Sequence, residues 1–249
     1  MPYFRKLNTL IIHIPKTGGT SLENYFLKKY RFKKNHNNLF NIMKETGISH
    51  PLQHCTISEL HTIPQFKIDW NQLRIITVVR NPYDRAVSAL FWRDAININS
   101  TEEEVETKLD HFLNMNYPFD NHNWPQYKFL EYNGEIDKKI IIMRTESLDA
   151  DMINNGYTDF KNNDNVSYRN KIDYMSFLTE SAKKKIYNYY RKDFELFGYD
   201  PMGANDPIDA NDLINANNPM GANDTIYANA SKANISFEQN KQNENPGEE

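Results

Sequence analysis

The chain has 249 residues, of which 39% are hydrophobic, and this is enough to bury one good core. Its formal net charge of −4 is uneven, because residues 200–249 carry nine acidic and two basic residues, which leaves a net of +3 on residues 1–199. A mildly basic body suits a small anionic ligand but lacks the dense Lys/Arg stripe of a nucleic-acid binder. We therefore expect no nucleic-acid partner.

Cysteine content and hydropathy limit the compartment in which the chain works. Cys55 is the only cysteine, so no internal disulfide and no cysteine-based zinc site can form, and a buried thiol is expected. The apolar run from Leu10 to Ile14 is far too short for a signal peptide or a membrane anchor, and no later run reaches membrane length. These features predict a soluble, cytoplasmic protein without membrane insertion.

Strands and helices alternate along the body of the chain. Compact apolar runs bounded by polar or turn residues predict buried strands at Leu10–Ile14, Ile75–Val79 and Ile140–Met143. Helical spacing predicts helices at Ser21–Lys29, Pro82–Arg93 and Leu178–Phe194. This order predicts an α/β fold, namely a three-layer, P-loop-like domain with a mainly parallel central sheet flanked by helices.

A change in composition marks the end of the domain. Periodic apolar patterning holds up to Tyr199, which predicts a domain over residues 1–199. Residues 200–249 are rich in Asn, Asp, Ala and Pro, and the string PMGAND occurs at 201–206 and again at 219–224. Such a segment buries too little apolar surface to offset the entropy of ordering, so we predict a disordered, low-complexity tail.

The segment LIIHI-PKTGGTS-LENYF has the order strand, glycine turn, helix start. This arrangement lets backbone N–H groups and a helix N-terminus hold an anion. Gly18 and Gly19 allow close approach of the backbone, and Lys16 adds a mobile positive charge. Hydroxyl donors come from Thr17, Thr20 and Ser21. Because Lys16 precedes the glycines, the order is not that of a Walker A motif, and kinase or GTPase chemistry is disfavoured.

A second motif, RIITVVRNPYDRAVSALFW, repeats this logic about sixty residues later. A strand ends at Arg80, and Ser88 lies about two turns into the next helix, so both side chains could meet one phosphate. Arg85 shares that helix face, although a surface ion pair is the more ordinary use of such a residue.

Together, PKTGGTS and RNPYDRAVS resemble the sulfotransferases that use 3′-phosphoadenosine-5′-phosphosulfate (PAPS). The closest resemblance is to the branch with the heparan-sulfate 2-O- and chondroitin 4-O-sulfotransferases and their bacterial relatives. It implies PAPS as the donor, no metal, and a hydroxyl acceptor on a carbohydrate. By the same resemblance, the 5′-phosphosulfate is held by Lys16, Thr17, Gly18, Gly19, Thr20 and Ser21, and the 3′-phosphate by Arg80 and Ser88.

The resemblance also suggests which residues act on the acceptor. Lys16 would stabilise charge on the leaving group, and His54 in QHCTISEL resembles the family histidine that serves as general base. His122 in HNWPQ is a second candidate base or an acceptor-binding residue, and Glu146 in MRTESL is a further carboxylate at a strand end. His50 and His54 have the i, i+4 spacing of metal ligands, but Pro51 lies between them and no third ligand is near, so we expect no metal site.

Three other functions remain open from the sequence. The same donor could serve a lipid, a tyrosyl group or a small-molecule hydroxyl. A catalytically silent nucleotide-binding protein could use the repeat tail to dock a partner. The third alternative, a nucleotide kinase, is disfavoured because the chain lacks the residue order of a Walker A motif.

Overall fold

The computed structural model describes residues 2–34, 48, 50–63, 69–115, 121–161 and 173–201. The helices are α1 (Gly19–Lys29), α2 (Ile57–His61), α3 (Pro82–Trp92), α4 (Glu102–Leu113), α5 (Tyr127–Leu130), α6 (Leu148–Asn154) and α7 (Glu180–Phe197). The strands are β1 (Tyr3–Phe4), β2 (Thr9–Ile12), β3 (Arg74–Val79), β4 (Glu131–Tyr132), β5 (Glu135–Ile136) and β6 (Ile141–Arg144).

The central sheet has the order β1-β2-β3-β6. β2, β3 and β6 are parallel, with Leu10 opposite Ile75 and Ile76 opposite Ile141, while β1 runs antiparallel to β2. β4 and β5 form a separate antiparallel hairpin. The predicted α/β domain with a mainly parallel sheet is therefore confirmed.

Apolar side chains cover both faces of this sheet, as expected for parallel strands that are buried on both sides. Along β3, Ile75 and Val79 belong to one buried cluster, and Ile76 and Val78 belong to another. Residues of α3, α4 and α7 pack in the first cluster, and residues of α1 and α6 pack in the second. The alternation of side chains thus produces three layers, with helices on each side of the sheet.

The structure also shows where the predicted elements begin and end. Each predicted strand is found within two residues, and the first two helices begin within two residues of their expected starts. The last helix runs from Glu180 to Phe197 because Thr179 caps its start and Gly198, with φ 63°, terminates it. α4, α5, α6 and the hairpin were not predicted.

At the end of the described chain, the hydroxyl of Tyr83 donates to the carbonyl of Pro201 (2.7 Å), and the predicted domain boundary at residue 199 stays a prediction. The predicted tail lies outside the described residues from 202 onward, so its disorder stays a prediction. Among the described residues, no helix combines the length and the apolarity needed to cross a membrane.

Candidate active site

The loop after β2 leads into α1 and contains the first predicted phosphate motif. Gly18 is the N-cap of α1 and has φ 87°, a left-handed conformation that glycine adopts without strain. Lys16 also has a positive φ, of 68°, which is uncommon for a residue with a side chain. The loop presents the N-terminus of an 11-residue helix, and the dipole of such a helix favours an anion at that end.

The hydroxyl residues of this motif lie in different environments. The hydroxyl of Thr17 is fully buried and donates to the carbonyl of Ile14 (2.9 Å), so its single proton is used to shape the loop. Thr20 is exposed on the first turn of α1, and the neighbouring Ser21 is buried. In this structure the Thr17 hydroxyl thus has a structural partner, and the role of Thr17 in holding the 5′-phosphosulfate stays a prediction.

His13, which the sequence analysis did not single out, requires a glycine at position 19. A Cβ atom at Gly19 would lie 2.9 Å from Cδ2 of His13, which is closer than real contacts allow. Nδ1 of His13 in turn contacts a carboxylate oxygen of Glu23, which lies one turn after Gly19 on the same face of α1. The imidazole of His13 therefore fills the space between the end of β2 and the start of α1.

The second motif places Arg80 next to the first. Gln126, which is fully buried, holds the backbone of Arg80 at both ends: its Oε1 accepts from the Arg80 N–H (2.9 Å) and its Nε2 donates to the Arg80 carbonyl (2.8 Å). The Arg80 guanidinium donates to the carbonyl of Lys16 (3.3 Å) and lies over the ring of Tyr174. The two loops that were predicted to bind the donor are therefore in direct contact.

One face of α3 carries Arg85, Ser88 and Trp92, which are three and four residues apart along the helix. Ser88 is buried on the second turn, and Trp92, at the end of the helix, is 49% exposed. Arg85 is only 1% exposed, and it donates to the carbonyls of Pro15 and His122 (3.0 Å each). The expected surface ion pair of Arg85 is wrong, because the loop that contains His122 covers this face of the helix.

Three imidazole rings and one indole form a continuous contact, which we call the histidine wall: His13, His54, His122 and Trp92. The ring centroids of His13 and His54 are 5.0 Å apart, and those of His54 and His122 are 5.3 Å apart. His122 stacks on Trp92 at 4.4 Å with an interplanar angle of 9°. Nζ of Lys16 lies 5.6 Å from the centroid of Trp92. The predicted site residues Lys16, His54 and His122 are therefore brought together.

Enclosure in this wall keeps His54 neutral. Burial, followed by the neighbouring His13 and His122, lowers the pKa of His54 to about 2. The side-chain amide of Gln53 lies 3.2 Å from Nε2 of His54 and can donate to that nitrogen in the neutral ring. His54 is thus in the neutral form that a base requires, but burial makes Nε2 weakly basic, and the Gln53 amide must move aside before Nε2 can accept a proton. Its backbone is anchored by Asn121, whose amide donates to the His54 carbonyl (2.7 Å).

Arg144 and Glu146, at the end of β6, hold the closing segment of the domain. Glu146 accepts hydrogen bonds from the Asn81 N–H (2.7 Å) and the Tyr199 hydroxyl (3.1 Å). Arg144 donates to the carbonyl of Phe197 (2.6 Å). Glu146 therefore bridges Asn81 and Tyr199, and both of its oxygens accept hydrogen bonds.

His50, another histidine near this region, has partners of its own. His50 contacts Glu59 (2.9 Å) and the carbonyl of Pro51 (3.2 Å), which gives it a structural partner beside α2. Within the described ranges, no group of three or more His, Cys, Asp or Glu side chains is arranged to hold a metal ion.

Comparison with known proteins identifies the family. A family model described as "Sulfotransferase family" matches residues 3–200. Neither a curated protein nor a solved structure matches the chain significantly. The matched segment contains both phosphate motifs, the histidine wall and the closing helix α7. The chain therefore belongs to the sulfotransferase family.

Proposed function

We propose that this protein transfers the sulfuryl group of PAPS to a hydroxyl of a carbohydrate acceptor. The observation that carries the proposal is the junction at Lys16. Its carbonyl meets the Arg80 guanidinium at 3.3 Å, and its ammonium lies 5.6 Å from the ring of Trp92 in the histidine wall. A charge that could stabilise the leaving group thus lies between a predicted donor site and a neutral base.

The residues present fit a nucleotide with phosphates at both ends. Gly18 caps the N-terminus of α1, an end of the helix that favours an anion, and Lys16 lies on the same loop. Arg80 offers a forked, permanently charged donor, and its backbone is fixed by Gln126. We assign the 5′-phosphosulfate to Lys16 and to residues 18–21, and the 3′-phosphate to Arg80 with Ser88.

The proposed mechanism is an in-line displacement in which the protein positions the reactants and stabilises charge. Nε2 of His54 takes the proton of the acceptor hydroxyl as that oxygen bonds to sulfur and the bond from sulfur to the nucleotide phosphate breaks. The Lys16 ammonium neutralises the charge that develops on the departing phosphate oxygen, an interaction that is stronger in the transition state than in the ground state.

Trp92 supports a carbohydrate acceptor. Its ring is 49% exposed beside the Lys16 side chain, and it stacks on the buried His122. Ligand sites commonly combine an aromatic surface with a few polar groups that fix orientation, and the C–H face of a sugar ring packs well on an indole. His122 would then bind the acceptor next to His54.

The test is transfer of labelled sulfate from PAPS to a panel of acceptors: unsulfated heparosan and chondroitin, a tyrosyl peptide, a simple phenol and a glycolipid. Lys16→Met serves as the inactive control, because it removes the charge and keeps an apolar side chain against Trp92. Label on the glycans is the expected result. If label appears only on another acceptor, the assignment of a carbohydrate acceptor is overturned. If the protein binds neither PAPS nor its product nucleotide, the assignment of PAPS as donor is overturned.

The cytoplasmic location predicted from the sequence stays a prediction, which cell fractionation can check.

A further inference from the structure

Behind the phosphate loop, two ionisable side chains are buried together. His13 is 6% exposed and Glu23 is 1% exposed, and Nδ1 of His13 contacts a carboxylate oxygen of Glu23. Burying such a pair gains little stability, because the cost of desolvating the charge offsets the attraction, and an apolar pair of similar volume would often serve as well. The pair therefore calls for an explanation other than the stability of the core.

The contacts of His13 provide that explanation. One part of its ring lies against Gly19, where the position of a Cβ atom would be 2.9 Å from Cδ2 and 3.1 Å from Nε2. The same ring contacts the ring of His54, with centroids 5.0 Å apart. Against an ionised Glu23, Nδ1 of His13 is the atom that donates the hydrogen bond, which assigns the proton of the neutral ring to Nδ1. The carboxylate of Glu23 thus sets the orientation of the imidazole that contacts the candidate base.

We propose that Glu23 and His13 form a positioning pair for His54. Glu23 fixes the ring of His13 through Nδ1, and His13 holds the ring of His54 in the orientation in which Nε2 takes the proton of the acceptor. The inference rests on the function proposed above and adds two residues to it. The proton passes from the acceptor hydroxyl to His54 and from His54 to solvent after the product leaves, and none is passed to His13.

The other imidazoles near His54 oppose its protonation. His54 is faced by His13 from the end of β2, by His122 from the loop before α5, and by His50 from the turn before α2, and each of these disfavours a proton on His54. His50 has its own carboxylate, Glu59. Glu23 contacts His13, the imidazole that opposes protonation of His54 most strongly.

Glu23→Gln is the direct test, with Glu59→Gln as the matched control, since each removes the charge from a histidine–carboxylate pair next to the same region. We expect Glu23→Gln to lower kcat by roughly tenfold to a hundredfold, as is common when a supporting hydrogen-bond partner is lost. The KM for PAPS and the affinity for the product nucleotide should stay within about twofold, since Glu23 is buried behind the loop. Glu59→Gln should keep turnover within about twofold.

His13→Asn gives a second variant in case Glu23→Gln does not fold. The Asn amide can replace Nδ1–H as the donor to Glu23 but has no ring to contact His54. We expect the same loss of kcat as in Glu23→Gln, with nucleotide binding intact. An unchanged kcat in both folded variants would overturn the proposal. A parallel loss of nucleotide affinity would also overturn it, because it would show that the pair supports the phosphate loop and not His54.

Imidazole ¹⁵N NMR separates this inference from the proposed function, because it requires no turnover. In the wild-type protein we expect a protonated Nδ1 on His13, and in Glu23→Gln we expect altered resonances for both His13 and His54. If the His54 resonances are the same in Glu23→Gln as in the wild-type protein, the positioning role is overturned, even if sulfate transfer is found. If sulfate transfer is absent but this coupling is present, only the proposed function fails.

Discussion

The proposed donor side and the proposed acceptor side of the site are built in different ways. The donor side consists of two contiguous segments, the loop into α1 and the loop into α3, in which backbone conformation sets the geometry. The acceptor side, made of His54, His122 and Trp92, comes from three distant segments held by ring contacts and by bonds such as that from Arg85 to the His122 carbonyl. We therefore expect substitutions on the two sides to have separable effects, one on nucleotide binding and the other on turnover.

The largest effect is expected for His54→Asn, which removes the candidate base from the acceptor side. Turnover should fall by about 10²–10⁴-fold, the usual contribution of a general base. Nucleotide affinity, measured by calorimetry, should not change, and a loss of affinity would break the separation of the two sides.

The pH profile of the wild-type enzyme tests the environment of the same residue. A base must be neutral to act, and burial lowers the pKa of His54 to about 2, so His54 is neutral throughout the usual assay range. We expect kcat/KM to show no acid limb from His54 between about pH 5 and pH 8. An acid limb in that range that disappears in His54→Asn would mean that His54 is solvated.

Lys16→Met should have the next largest effect, since it removes the charge that stabilises the leaving group. We expect a loss of about 10²–10³-fold in turnover, the size seen when one stabilising donor is removed. The loss should be the same at each pH, because the charge of a lysine is constant across the assay range. A loss confined to one end of the pH range would indicate a proton-transfer role instead.

Arg80→Ala should act on the donor side alone. A charged hydrogen bond is worth about 1.5–3 kcal/mol, so affinity for 3′-phosphoadenosine 5′-phosphate should fall by roughly ten- to a hundredfold. Affinity for adenosine 5′-phosphate should change little. Arg93→Ala, at the exposed far end of α3, is the control. Equal losses for the two nucleotides would show that Arg80 does not read the 3′-phosphate.

The smallest effect is expected for deletion of residues 202–249. The cut starts after Pro201 because the carbonyl of that residue accepts from Tyr83. The deleted segment has few large apolar residues, so the melting temperature and the nucleotide affinity should stay nearly unchanged. A drop of many degrees would mean that the segment stabilises the domain.

The two loops of the proposed donor side could be predicted from the sequence, because the residues that determine their structure are neighbours along the chain. A short apolar run, a glycine turn and a helix start specify the loop around Lys16 without any knowledge of the rest of the chain. The same holds for the strand and the helix around Arg80. The hydrogen-bond partner of each hydroxyl could not be predicted, because the bond from the Thr17 hydroxyl to the Ile14 carbonyl depends on the exact path of the loop.

The acceptor side could be predicted only in part. Family resemblance suggested His54 and His122, but their contact with each other and with Trp92 depends on long-range packing. For Arg85, the spacing on α3 showed the correct helix face, yet nothing local indicates that a loop some forty residues later covers it. His13 carried one usable signal, the glycine at position 19, which indicates that something lies close to the helix start.

The central claim, that the two loops joined at Lys16 form a site for a nucleotide with a 3′-phosphate, is tested most directly by calorimetry on the wild-type protein. We predict that 3′-phosphoadenosine 5′-phosphate binds at least about tenfold more tightly than adenosine 5′-phosphate, because only the first ligand can use the charged donor of Arg80. Equal affinities, or no binding of either nucleotide, would contradict the account.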